Sequence, residues 1–126
     1  MTVPHEEWLT KAADDIQFAA LGLKEEFYSQ VCFLSQQAIE KALKGALVKL
    51  GRSYPKSHNL RELAKRVPEL NLKGHMEQLT IIDGYYVPLR YPDAAPGMKA
   101  SGSPNQTEAA EALTTAKEIF DIVKNF

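Results

Sequence analysis

Between residues 27 and 51 apolar positions come closer together than anywhere else in the chain. Cys32, Ser35, Ile39, Ala42, Ala46 and Leu50 stand three and four apart, so they share one face of a helix. Val31, Leu34, Ala38 and Leu47 widen that face. A helix apolar over so much of its girth is expected at the centre of a bundle, with neighbours on several sides. Ser35, Ala38, Ala42, Gly45 and Ala46 are small enough to let another helix approach closely. Gly51 suits the position just past the helix end, where a left-handed backbone carries no side-chain penalty. Gln36, Gln37, Glu40, Lys41 and Lys44 interrupt the apolar surface. The plain reading of these five is a solvated face; the alternative is that some of them line a groove.

The remaining helices follow the same spacing. Trp8, Ala12, Ile16, Ala19 and Leu23 predict a first helix over residues 4–22, with Pro4 in its first turn and Glu6 and Glu7 at the positive end of its dipole. Gly22 and Lys24-Glu25-Glu26 predict a turn, so the first two helices form an antiparallel hairpin. A connector at 51–59 contains Pro55, which holds Tyr54 extended. Leu60, Leu63, Ala64 and Val67 mark a short third helix, which Ser57 or Asn59 could cap and Pro68 ends. Leu72, Met76, Leu79, Ile82 and Tyr86 mark a fourth over 70–87, weakened by Gly74 and Gly84 and stopped by Pro88. Residues 93–103 are small and rich in Gly, Pro and Ser, which predicts a mobile loop. Ser103, Pro104 and Gln106 signal the start of the last helix, whose buried face is Ala109, Leu113, Ala116, Phe120 and Val123. No segment alternates as a strand would. The expected fold is all-α: an up-and-down four-helix bundle with one additional short helix, a single domain over residues 1–126.

Composition narrows the function classes. A formal net charge of -1 gives no global attraction to nucleic acid, so any such contact needs a local basic patch. The single cysteine, Cys32, excludes an internal disulfide, fits a reducing cytoplasm and falls on the apolar face. The first residues lack the pattern of a signal peptide, and no run is long and apolar enough for a membrane span. His5, His58 and His75 are far apart, so no metal site is expected. There is no phosphate-binding glycine loop, no local nucleophile signature and no helix-turn-helix for sequence-specific DNA.

Two connectors then hold the polar and aromatic residues able to do chemistry. The first has Arg52, Tyr54, Lys56 and His58, and the second has Tyr85, Arg90, Tyr91 and Asp93. Arginine binds phosphate through a planar fork, tyrosine stacks on bases, and histidine moves protons near neutral pH. Together they suit a nucleotide or RNA. Local explanations stay open beside this one: Arg90 and Asp93 as an ion pair fixing a turn, His58 as a helix-start residue bonded to backbone. Pro88 and Pro92 restrain the backbone on either side of Arg90, which favours a phosphate clamp over an inward structural role.

The stretch Gln36-Gln37-Ala38-Ile39-Glu40-Lys41-Ala42-Leu43-Lys44, then Lys56-Ser57-His58-Asn59-Leu60, then Tyr86 followed by Leu89-Arg90-Tyr91-Pro92-Asp93, resembles the HEPN domain (higher eukaryotes and prokaryotes nucleotide-binding). Trp8, Ala12 and Asp14-Asp15-Ile16 match its opening helix. The resemblance implies a helical bundle that forms homodimers and is commonly encoded beside a minimal nucleotidyltransferase as half of a toxin–antitoxin pair. Many members are metal-independent RNases using an arginine and a histidine with four to six residues between them. This sequence departs from that pattern, because Ala95, Pro96 and Gly97 stand where the histidine after Arg90 would be. Arg52 and His58 have the right separation, but they precede the short third helix, and we read that match as coincidence.

The resulting expectation is a cytoplasmic nucleotide- or RNA-binding module, needing no cofactor, that acts as a homodimer with a nucleotidyltransferase partner. Its ligand residues are Lys41, Lys44, Lys56, His58, Tyr86, Arg90, Tyr91 and Asp93, with His58 and Arg90 as candidate catalytic residues. The alternatives are a metal-independent endoribonuclease and a purely structural interaction bundle. Dimerisation is expected through the first two helices, whose apolar surface exceeds what one bundle side can bury.

Overall fold

The structure, a computed structural model, describes residues 4–85 and 103–126. Five α-helices account for most of them: α1 (His5–Lys24), α2 (Tyr28–Lys49), α3 (Leu60–Lys65), α4 (Met76–Asp83) and α5 (Gln106–Lys124). The fold is an all-α, up-and-down bundle with α3 as the additional short helix. No described helix is long and apolar enough to cross a membrane.

The helix α2 is the axis of the bundle. Over its 22 residues, about 33 Å of helix, it packs against α1, α3, α4 and α5. Val31, Cys32, Ala38, Ile39, Ala42, Leu43, Ala46 and Leu47 are all buried, a girth only a central helix can hide. Helices α1 and α2 form the expected hairpin, and α5 lies along both. Close approach of α1 to α2 depends on Gly45: a Cβ there would lie 3.1 Å from the Cβ of Trp8. The second helix ends as its sequence predicts. Gly51 has φ of 72°, its N–H reaches Val48 O at 3.0 Å, and the Arg52 N–H reaches Leu47 O at 2.9 Å.

Several boundaries differ from expectation, among them the end of the fourth helix, which stops at Asp83 with Gly84 as its cap and does not continue through Tyr85. The first helix runs through Gly22 to Lys24, because Gly22 serves packing and not a turn: a Cβ on it would stand 3.2 Å from Val31 Cγ2. The turn falls at Glu26, whose φ is 64°. The Glu26 and Phe27 N–H groups close back on Leu23 O and Gly22 O, the same hydrogen-bond closure seen after α2 but with glutamate in the glycine position. The fourth helix begins at Met76, after two 3-10 turns at Pro68–Leu70 and Lys73–His75. Pro68 starts the first of these, and Asn71, at φ 52°, separates them, so the apolar spacing from Leu70 onward is carried by turns before the helix proper. At α5 the cap is Asn105: its side chain accepts the Glu108 N–H at 2.8 Å, and Glu108 Oε1 accepts the Asn105 N–H at 3.1 Å. That reciprocal pair satisfies two orphan donors and outweighs the Ser103-Pro104 signal just before it. Pro88 and most of the predicted loop lie outside the described residues.

Glu26 occupies a conformation that only glycine adopts without penalty. Glu26→Gly should therefore raise stability by about 0.5–1 kcal/mol, read from the urea midpoint at unchanged m-value.

Candidate functional site

Gln36, Glu40 and Lys44 stand four residues apart and so form a stripe along one face of α2. They are not solvated: Gln36 is 0%, Glu40 6% and Lys44 9% exposed. The polar interruption read in the sequence is thus largely a buried network. Gln36 Nε2 donates to Glu40 Oε1 at 3.2 Å, and Lys44 Nζ donates to Glu40 Oε2 at 2.9 Å. Gln37 Nε2 donates to Gln36 Oε1 at 2.7 Å, which fixes the Gln36 amide with its nitrogen towards Glu40. The ammonium of Lys44 lies 5.9 Å from the ring centre of Trp8 and 5.4 Å from that of Tyr54. These two rings meet edge-to-face at 5.6 Å. Aromatic faces and a carboxylate together replace the water the ammonium loses.

The connector before α3 closes over this stripe. The His58 ring places Nδ1 at 3.0 Å from Glu40 Oε1 and 3.1 Å from Oε2. The carbonyl of His58 accepts from Gln36 Nε2 at 3.1 Å, so one residue is held by both backbone and ring. Its flanks are held too. Ser57 Oγ accepts the Asn59 N–H at 3.1 Å and donates to Glu62 at 3.0 Å, while Asn59 Oδ1 accepts the Glu62 N–H at 2.9 Å. Asp83, from α4, accepts the Leu60 N–H at 2.8 Å. Burial holds the Asp83 carboxyl above its usual range, and the Glu40 charge adds to that, against the bond from Leu60. Three elements thereby converge around His58, α2 through Gln36 and Glu40, α3 through its cap and α4 through Asp83, while Trp8 of α1 covers the neighbouring Lys44. The His58 side chain remains 51% exposed.

The predicted ligand residues divide as follows. Lys44 and His58 are brought together on Glu40. Lys56 is exposed on the same connector. Lys41 sits apart from that cluster and pairs with Asp15 of α1 at 2.7 Å, across the hairpin. Tyr86, Arg90, Tyr91 and Asp93 lie outside the described residues. Arg52, half of the apparent arginine–histidine match, turns to Glu69 in a two-pronged pair and donates to Arg66 O at 3.2 Å. Three members of the site stand outside the predicted ligand set: Gln36 and Glu40, which the sequence offered only as possible groove residues beside a preferred solvated face, and Trp8, read only as a helix-face residue. Their signal was available, since polar residues at i, i+4 and i+8 on a helix apolar nearly all round must face either water or each other.

Two solved structures share the whole fold. A crystal structure described as an archaeal HEPN homologue is 29% identical, with 98% of each chain covered and a TM-score of 0.76. Another, of a protein from Thermus thermophilus, is 31% identical, with 96% of each chain covered and a TM-score of 0.78. The profile of the HEPN domain matches residues 5–126. No curated protein matches the chain.

Removing one partner of a buried charge pair strands the other. Lys44→Met should cost about 3 kcal/mol in urea unfolding, and Glu40→Gln added to it should restore much of that, because no unpaired charge is left. The Arg52–Glu69 pair makes a separate prediction about pH. The guanidinium holds the Glu69 carboxyl down at about 2, against an ordinary 4.5. A depressed carboxyl contributes stability above its unfolded value and loses it as pH falls through the folded one. Wild-type and Glu69→Gln proteins should therefore differ most above pH 4.5 and converge towards pH 2 in thermal melts. Asp83 has the opposite sign, its contribution complete at low pH and lost as pH rises through its raised value.

Proposed function

The chain belongs to the HEPN family, and we propose that it is a nucleotide- or RNA-binding module whose ligand sits against the connector carrying Lys56 and His58. One observation carries this reading: a half-exposed histidine is anchored twice, its ring on the buried Glu40 carboxylate and its backbone carbonyl on the buried Gln36 amide. An anchored side chain loses little freedom on binding, so its contact with a ligand is not offset by ordering cost. Lys56 beside it supplies charge for phosphate, and Arg90 completes the phosphate contacts in this proposal.

The protein works as a homodimer beside a minimal nucleotidyltransferase, in the manner of a toxin–antitoxin pair. Support for the dimer comes from the hairpin end of the bundle. Phe18, Leu21 and Phe27 are 66%, 58% and 58% exposed there, and three large apolar side chains left in water favour a covering surface. The second reading, a metal-independent endoribonuclease with His58 and Arg90 as its catalytic residues, is favoured by the pairing of His58 with Glu40. In that reaction the RNA 2′-oxygen attacks phosphorus, the histidine takes its proton, and the 5′-oxygen leaves with a proton from water.

Calorimetric titration with ATP, GTP and short RNAs should give saturable heat for at least one of them. Lys56→Ala should weaken RNA binding and reduce the slope of log affinity against log salt by about one. No heat with any of them overturns the binding module, and cutting of RNA in the presence of chelator shifts the assignment to the second reading. Light scattering at micromolar concentration should give a dimer, and Phe18→Asp should give a monomer with an unchanged helical spectrum.

A further inference from the structure

The turns between α3 and α4 enclose a pocket that the nucleotide reading does not use. Ala64, Pro68, Leu72 and Met76 line it together with Lys65 and Lys73, and it holds about 230 Å³. Ala64 and Leu72 are each 5% exposed and belong to the core, so the pocket opens directly onto the bundle interior. The two 3-10 turns, Pro68–Leu70 and Lys73–His75, frame it. The Asn71 N–H closes on Pro68 O at 3.0 Å, and the His75 N–H on Leu72 O at 2.9 Å. A pocket framed by hydrogen-bonded turns and a proline is formed before anything enters it, so little ordering cost offsets binding. Met76, partly buried and unbranched, gives that lining some adaptability.

The charges beside this pocket are out of balance. Lys65 and Lys73 are both exposed, and neither pairs with a carboxylate among the described residues. The acids on the same segments are engaged elsewhere. Glu62 of α3 accepts from Ser57 and pairs with Arg66, and Glu69 of the first 3-10 turn is taken by the fork of Arg52. Glu77, in the first turn of α4, pairs with neither lysine.

We infer that this pocket is a docking site for an acidic peptide segment of another protein. One large apolar side chain of that segment sits on Ala64 and Leu72, and carboxylates flanking it meet Lys65 and Lys73. Volume favours a single side chain over a free molecule, because sites that enclose whole small ligands run from about 300 to 1,000 Å³. No residue lining the pocket is aromatic, so a nucleobase has no ring to stack on. Two unbalanced lysines beside an apolar floor match acid flanking an apolar anchor, and repel a basic segment. The inference stands apart from the nucleotide reading: Lys65 is the last residue of α3, whereas His58 precedes its start.

Heptapeptides of glutamate and aspartate with phenylalanine, leucine, tryptophan or methionine at the centre serve as probes. Binding is read from fluorescence anisotropy and from the methyl resonances of Ala64, Leu72 and Met76. At least one peptide should bind saturably and shift those methyls. Alanine at its centre should cost at least about tenfold in affinity, the loss of one buried apolar side chain. Lys65→Glu combined with Lys73→Glu, a change confined to the surface, should weaken binding by about tenfold at low salt, and added salt should narrow the difference. Ala64→Leu fills the floor and should abolish binding; should it fold poorly, the charge-reversed protein carries the test alone. No shift with any of the peptides overturns the inference, as does binding that survives both the alanine centre and the charge reversal. Three further results overturn it by naming another occupant. Phenylpropionate binding as tightly as the best peptide makes this a small-molecule site. An oligoadenylate that shifts the same methyls at lower concentration makes it a nucleic-acid contact. Loss of self-association in the charge-reversed protein assigns it to a second copy of the chain.

Discussion

The pairing of Glu40 with Lys44 inside the bundle is the constraint on which the rest of the molecule depends. Two opposite charges 2.9 Å apart and nearly out of water are each expensive alone. Each must be covered, and the cover dictates what surrounds them. Trp8 and Tyr54 wrap the ammonium, which ties the start of α1 to the connector after α2. His58 and Gln36 complete the carboxylate, which ties the start of α3 to the middle of α2. A chain that placed these residues elsewhere would leave a charge stranded, so the network selects one arrangement of the connector among the many that an apolar contact would tolerate.

The apolar framework was legible because helix spacing determines which residues face inward. Cys32, Ile39, Ala42 and Ala46 on α2, and Ala109, Leu113, Ala116 and Val123 on α5, were all read from spacing and are all buried. Ends were legible where chemistry is local. Gly51 and Asn59 each act within a few residues, and both do what their types predict. Ends failed where a distant contact decides. Gly22 looks like a turn residue until Val31 is placed against it, and Glu26 has no local reason to adopt a left-handed backbone. Only the demand that α2 return along α1 puts it there.

The candidate site was legible in part for a related reason. His58 and Lys44 attract notice as single residues. Glu40 was read first as part of a solvated face because a glutamate on a helix normally faces water, and periodicity cannot tell a solvated polar stripe from one that a connector covers. The cover comes from Tyr54 and His58, 14 and 18 positions beyond Glu40, and no local pattern links them. Lys41 shows the converse: adjacent to Glu40, it faces α1 and Asp15 because one residue is about 100° of helix turn.

Stability alone does not account for a buried stripe of glutamine, glutamate and lysine. Well-packed apolar side chains in those places would hold the bundle about as firmly, since desolvation consumes most of what a buried ion pair returns. What apolar side chains lack is direction. A leucine at position 40 would pack beneath the connector but could not tell one imidazole nitrogen from the other, nor could an apolar residue at position 36 hold the carbonyl of His58. The hydrogen bonds from Gln36 to that carbonyl, and from the His58 ring to Glu40, constrain position and orientation together. The same reasoning explains why the lysine is caged and not left in water. An exposed ammonium would share its charge with solvent and hold Glu40 weakly, whereas one between two aromatic faces has the carboxylate as its strongest partner. The polar stripe is thus understood through the side chain it orients at the surface, and the bundle supplies the rigid base that such orientation needs.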